Sequence, residues 1–516
     1  MQSSPVSRNL HSFPSLVVIA VAAFICCDLL PVLGVVDGTP YLLFACFEAV
    51  LTLLLISAWR DHFERLPLMH SCMLFALMFL RLASRFLANV SIFWAFRAGA
   101  AYCIDIGFIG YLCIIALHPS TYLWIQNVSR NFKQWWNPYR VTFLLCLLVL
   151  FVMSCFLLRS YHITRDGYDW IERSTQAVWH LYMREPLTIG LFQFVADIAW
   201  NWWGITSFGA IGFISVAAGV WWIVWANLLI VDKWADGFDR LLVWLLVVSS
   251  GGIIILFYAH IEVYPVFVAS LMPCFYFAHR YLHGESGIVP VVLCFSVAFL
   301  CHLSAGWLLP AFVLLPILCQ KNNSKVKDFA LFIGFFCFIQ ALFWGFLIVV
   351  YYEASLSLFL ERLHQTFFVG LDRAMFLPPM YWFQSRHLID LANAYIYYSL
   401  PCCLLLPVLL IRKPLLPSRE TCFWVLAAGG YFLYSFLWNP DRGYPEDWDL
   451  FSPFASIATL LVMHLLLSSG KKESKADGGK SEQTGSLIYL ATVGTIAFSC
   501  SQIYFHHIIP FARHTF

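Results

Sequence analysis

The chain has 516 residues, of which 61% are apolar, 18% aromatic and only 12% charged, and its formal net charge at pH 7 is +2. Soluble domains carry about a quarter charged residues, so half that share, with a mean hydropathy of +0.76, excludes an ordinary soluble enzyme. The near-neutral balance, with few charges and those in short loops rather than a basic stripe, gives no reason to expect nucleic acid as a partner.

Apolar runs of about 18 or more residues recur, each long enough to cross a hydrocarbon core of about 30 Å. Because an open sheet edge cannot be satisfied in lipid, the expected fold is all-α: a polytopic membrane bundle of about 14–15 transmembrane helices. After Arg8, the first run covers 13–34. It is too long for a signal-peptide core and lacks a cleavage site, so it is expected to be a retained span. Spans at 41–58, 68–88 and 91–117 follow. Asp28, Glu48, Arg81, Arg85, Arg97 and Asp105 lie inside these N-terminal runs, which suits a transport pathway or a charge-paired bundle equally. Segment 118–140, with Trp124, Lys133, Trp135, Trp136 and Arg140, fits an amphipathic helix on the cytoplasmic surface. The chain therefore divides into 1–140, N-terminal spans with that segment, and 141–516, the transmembrane core. The core spans are expected at 141–158, 205–230, 241–259, 264–281, 288–302, 304–319, 329–352, 393–411, 421–438, 453–469 and 486–505, with the two around His302 able to merge.

Lysine placement orients the threading. Lys133, Lys233, Lys321–Lys327, Lys413 and Lys471–Lys480 all fall in one alternate set of loops, which the positive-inside rule makes cytoplasmic. The opposite loops have no lysine and hold most carboxylates, among them Asp166, Asp169, Glu172, Glu185, Glu262, Asp372, Asp390 and Asp441–Asp449. Three outer segments, 159–204, 353–391 and 439–452, exceed what a plain connection needs. Within the first, the tryptophan-rich stretch 187–203, interrupted by Asp197, suits a helix lying in the membrane interface. Segment 471–485 is a flexible polar linker. The 17 cysteines sit mostly in apolar runs and include no CxxC, so they are expected to pack as small apolar residues.

Chemistry is expected on the outer face. Asp166 and Asp169 follow a span end closely, where a carboxylate can take a proton from a hydroxyl within about 3 Å; a solvated loop balanced by its four arginines explains them as well. Glu262 sits in a connection too short to be free loop, so it points into protein or cavity. His302 occupies the next outer turn, where a lone histidine commonly caps a helix. His387 and Asp390 are three residues apart and share a face if helical, with Arg373 and Arg386 nearby. Asp447 and Asp449 flank Trp448 beside Arg442. This oxygen-rich set suits Mg²⁺ or Mn²⁺, or caps the following helix.

In order along the chain, RDGYDW, REPL, HIEVYP, the HLSA turn, FQSRHLIDLANAY and DWDLF resemble segments of GT-C glycosyltransferases, most closely a bacterial set of GT-C-like membrane proteins. The resemblance runs from about 141 to 469 and leaves the four N-terminal spans unmatched. It implies a multi-pass protein of the bacterial inner membrane that takes a lipid-linked sugar donor, a polyprenyl phosphate, and a glycan, lipid or protein acceptor, without a certain cofactor. It also implies a catalytic loop carboxylate: Asp166, with Asp169 as fallback, Glu262 and His302 completing the catalytic set. Glu185, Arg373, His387, Asp390, Arg442, Asp447 and Asp449 would contact substrate, with Arg442 and Arg373 ahead of Arg184 for the phosphate. The chain carries a single acid in Arg165-Asp166-Gly167 where better-known members have an adjacent Asp-Glu pair. No glycine-rich phosphate loop is present, consistent with a lipid-linked donor. A transporter or lipid flippase is the main alternative, although no internal repeat of the kind transporters use is visible; an envelope-assembly scaffold is a third.

The lysine asymmetry predicts that single cysteines introduced at 321–328 and 471–485 react only from the cytoplasmic side, and those at 159–186 and 440–452 only from outside. Labelling of 440–452 from the cytoplasm would overturn the threading.

Overall fold

The computed structural model describes residues 165–175, 184–233, 260–319, 325–351, 355–364, 376–399, 418–440 and 448–473, together with scattered positions within 145–155, 243–258 and 406–409. The four N-terminal spans, segment 118–140, the span at 486–505 and nearly all of the 471–485 linker lie outside these residues.

Among the described residues the protein is a bundle of α-helices, with one isolated antiparallel bridge between Phe376 and Trp438. The principal helices are α1 (Arg165–Thr175), α2 (Pro186–Trp203), α3 (Ser207–Lys233), α4 (Tyr264–Leu282), α5 (Ile288–Cys301), α6 (Lys325–Tyr351), α7 (Leu356–His364), α8 (Ser385–Tyr398), α9 (Arg419–Leu437) and α10 (Pro453–Glu473). Neighbours in sequence pack on one another: α1 on α2, α2 on α3, α3 on α4, α4 on α5, α5 on α6, and α9 on α10.

Two helices show the membrane's effect on sequence. Within the Lys325–Val350 stretch of α6, the most apolar window has a mean hydropathy of 2.4, yet only 6% of it is buried inside the protein. A helix apolar all round and uncovered by protein needs lipid around it. Its 26 residues reach about 39 Å at 1.5 Å per residue, enough to cross. Helix α3 is the second such span, half covered by its neighbours. The protein is a polytopic membrane helix bundle.

Helix α2 covers the stretch 187–203, where an interfacial helix is expected. Phe192, Ala196 and Ala199 are buried, while Phe194, Trp200, Trp202 and Trp203 are exposed. Asp197 stays on the exposed side, accepting a hydrogen bond from Asn201 at 2.9 Å. The helix stops at Gly204, whose φ of 63° lies in the left-handed region; the N–H groups of Gly204 and Ile205 return to the carbonyls of Trp200 and Ala199. That terminator turns the chain out of α2 and into α3.

The largest departure from the expected threading is at 304–319. Instead of a continuous span, Leu303–Leu308 is a 3-10 turn followed by the short helical pieces Leu309–Val313 and Leu315–Leu318. Pro310 and Pro316 open these pieces, each lacking the N–H a continuous helix would need there. His302 is extended (φ −160°, ψ 126°), so the runs on either side of it do not merge.

This broken segment packs against α9. Inside lipid, apolar burial between helices brings little solvent-driven gain, and close packing matters more. Within Ala427-Ala428-Gly429-Gly430 of α9, it is Gly430 that faces this segment. A Cβ on Gly430 would lie 2.1 Å from the carbonyl oxygen of Trp307. Nearby, the hydroxyls of Ser304 and Tyr431 are hydrogen-bonded at 3.0 Å. Aromatic contacts fill the rest, including Phe295 stacked on Phe312 at 4.5 Å and Phe275 against Trp424 at 5.5 Å.

Because Trp307 presents backbone at Gly430, Gly430→Ala is expected to destabilise the protein by about 1–3 kcal/mol. Gly429→Ala meets no atom within 4 Å, and is expected to be neutral or to stabilise by up to about 1 kcal/mol through helix propensity. Thermal unfolding of both variants in detergent tests this; equal melting temperatures would refute the close approach.

Candidate active site

Four segments meet where α2 begins. The residue before a proline is kept out of the helical region, so Glu185 (φ −133°, ψ 50°) stands just before α2, with Pro186 at the first helical position. Two contacts dock this end on the end of α5. The Leu303 N–H donates to the Arg184 carbonyl at 2.9 Å, and the Thr188 hydroxyl donates to the Cys301 carbonyl at 2.9 Å. The second satisfies a carbonyl that the last turn of α5 leaves open.

This docking brings Glu185 to His302. The Ser304 backbone N–H donates to Nδ1 of His302 at 3.1 Å. A ring nitrogen that accepts carries no proton, so Nε2 is the protonated nitrogen of the neutral ring. Nε2 lies 3.1 Å from Oε1 of Glu185 and donates to it. Phe267 stacks on the imidazole at 5.0 Å and Tyr264 packs on it at 5.2 Å. Glu185 is 4% exposed and His302 5%, and the second carboxylate oxygen, Oε2, is buried without a hydrogen-bond partner among the described residues. A buried carboxylate with an open oxygen is costly, and here one oxygen is oriented by a fixed imidazole while the other is left to accept a proton or a hydrogen bond.

Glu262, only 3% exposed, points into protein: its Oε2 accepts from Trp170 Nε1 at 2.9 Å, fastening α1 to the start of α4. Trp170 also packs with Ile189, Phe192, Ile261 and Val263, and Gln193 of α2 donates to the Arg173 carbonyl at 3.4 Å. Because Tyr264 reaches His302, the Trp170–Glu262 and Glu185–His302 contacts belong to one assembly. Asp166, of which only the backbone is described, is the second residue of α1, one turn before Trp170 and about 6 Å along the helix. Asp169 is exposed.

The remaining expected residues divide. His387, 8% exposed, sits in α8, with Nε2 3.1 Å from the Phe436 carbonyl and its ring against Phe436; this contact, with the Phe376–Trp438 bridge, ties the third outer segment to the end of α9. Asp390 lies one turn on and acts on the His387 charge, as their spacing implied. Arg386 is exposed. Arg373, Arg442 and Asp447 lie outside the described residues, and of Asp449 only the backbone is described, so the Mg²⁺ or Mn²⁺ set falls there as well. Sequence reasoning missed Trp170, Thr188 and Tyr264 as the residues that join the assembly. The only signal was the position of each within or beside a motif.

No family model and no curated protein matches the chain. It is similar to two solved structures of ArnT from Cupriavidus metallidurans. The apo state has a TM-score of 0.45 and 9% identity, covering 71% of this chain and 77% of that one. The form bound to undecaprenyl phosphate has a TM-score of 0.46 and 10% identity, covering 71% of this chain and 76% of that one.

Burial pushes the imidazoles of His260 and His387 below their ordinary range, against the opposing charges of Glu262 and Asp390 and, for His387, the Phe436 carbonyl. Both are therefore neutral in the folded protein where the unfolded chain would already be protonated. Their contribution to stability is full above the unfolded value of about 6.5 and is lost as pH falls below it. The melting temperature is expected to drop between pH 7 and pH 5, with a shallower drop in His387→Gln, which keeps a donor for Phe436. Identical slopes in parent and variant would contradict this.

Proposed function

We propose that the protein is a GT-C-type membrane glycosyltransferase that moves a sugar from a polyprenyl-phosphate donor to a glycan, lipid or protein acceptor at the outer face of the bacterial inner membrane. The observation that carries this reading is the buried Glu185–His302 pair, built where α2 docks on the bundle and joined through Tyr264 and Glu262 to α1, whose first turn carries Asp166. A glycosyl phosphate already has a good leaving group, so the protein's task is to position the acceptor and remove its proton. The acceptor oxygen bonds to the anomeric carbon and the carbon–oxygen bond to phosphate breaks. Polyprenyl phosphate departs with the electron pair, and the hydroxyl proton passes to a carboxylate.

Asp166 is the proposed base, with Asp169 as its fallback. Arg442 and Arg373 are proposed to hold the phosphate by paired hydrogen bonds, with Arg184 beside the pair as a further cation. One observation favours a second assignment of the base: the open Oε2 of Glu185, whose other oxygen is held by His302.

In proteoliposomes supplied with a polyprenyl-phosphate sugar, Asp166→Asn is expected to lower transfer about 10²–10⁴-fold, the usual range for a lost general base, with donor binding retained. Glu185→Gln keeps the contact to His302 and separates the two assignments. If it alone abolishes transfer while Asp166→Asn works at the parent rate, Glu185 is the base. Parent rates for Asp166→Asn, Asp169→Asn and Glu185→Gln would remove base catalysis by this loop and leave transport as the better account.

A further inference from the structure

At the far end of α4, about 25 Å along the helix from Glu262 at 1.5 Å per residue, a second polar cluster has no part in the proposed transfer. His279 and His283 are four residues apart on α4 and its cap, so they share a face. Their rings are 4.6 Å apart. Glu420, in the first turn of α9, reaches both: Oε1 is 2.7 Å from Nδ1 of His279, and Oε2 is 3.3 Å from Nε2 of His283. From α10, His464 brings Nδ1 to 3.6 Å from the same Oε1. Three imidazoles from two helices thus converge on one carboxylate held by a third.

We propose that His279, His283, Glu420 and His464 bind a single divalent transition-metal ion of the zinc class, tying together α4, α9 and α10 at this end of the bundle. The donor set is imidazole and carboxylate, which suits zinc rather than Mg²⁺ or Ca²⁺. Zinc bonds of about 2.0–2.2 Å in a tetrahedron place neighbouring donor atoms about 3.3–3.5 Å apart. The three histidine–carboxylate separations, 2.7, 3.3 and 3.6 Å, bracket that value. Donor atoms of His279, His283 and Glu420 all lie within 4.8 Å of one another.

The surroundings hold these donors in place. Ser418 caps α9 by accepting the Thr421 N–H at 3.0 Å. The Thr421 hydroxyl contacts Nε2 of His464 at 2.9 Å, fixing that ring with Nδ1 towards Glu420.

The test is independent of the transferase reading. The full chain, purified in detergent and stripped with chelator, is titrated with Zn²⁺ and followed by calorimetry, elemental analysis and melting temperature. About one ion per chain is expected, with a higher melting temperature, since a ligand that binds only the folded state stabilises it. His283→Gln, at a half-exposed ring where folding is not at stake, and Glu420→Gln are each expected to weaken binding at least about tenfold. Co²⁺ in the unaltered chain should give the visible absorption bands of a four-coordinate nitrogen and oxygen site, which needs no variant. No stoichiometric Zn²⁺ in the unaltered chain, or unchanged affinity in His283→Gln, would overturn the proposal.

Discussion

The break at His302 is the feature on which the rest of the described architecture depends. Had the apolar run continued through it, α5 and the following residues would form one long helix, and the carbonyl of Cys301 and the N–H of Leu303 would be used up inside it. Because His302 is extended, those two groups are free to bind the start of α2, and the imidazole turns towards Glu185. The break persists because the segment after it is held elsewhere, by the Trp307 carbonyl lying against Gly430 and by Ser304 on Tyr431. A backbone that approaches a helix this closely tolerates no side chain at residue 430.

Membrane depth explains where polarity is allowed. Buried polar groups in lipid need partners inside the protein, and two clusters of them lie at the two ends of α4. At one end, Glu262 and Tyr264 join α1 and His302 into one assembly. At the other, His279 and His283 face Glu420 and His464, while Tyr281 donates to Asp328 at 2.6 Å and so ties α4 to α6. Between these ends the helix contributes almost only apolar side chains to the core. The polar clusters therefore act as clasps at opposite faces, and the middle is packed by aromatic rings.

Much of this is legible in the sequence because it rests on local chemistry. Length and hydropathy make α3 and α6 long and apolar enough to cross a membrane, and the stretch expected to be helical at 187–203 forms α2. Pro186 sets the start of α2 and leaves Glu185 just before it. The spacing of His387 and Asp390 places them on one side of α8. Each of these follows from residues within a few turns of one another, where periodicity, proline and charge act directly.

What only the tertiary structure decided is which distant residues meet. No local pattern pairs Glu185 with His302, Trp170 with Glu262, or His279 with Glu420 and His464, since these partners are 92 to 185 positions apart or come together only when α4, α9 and α10 pack. The fate of 304–319 was equally undecided: its hydropathy suits a span, and the loss of helix continuity depends on Pro310 and Pro316 together with the close approach to Gly430. Apolar content tells a segment to leave water. Only packing in three dimensions, through backbone approach and the pairing of buried polar atoms, determines the shape it takes once there.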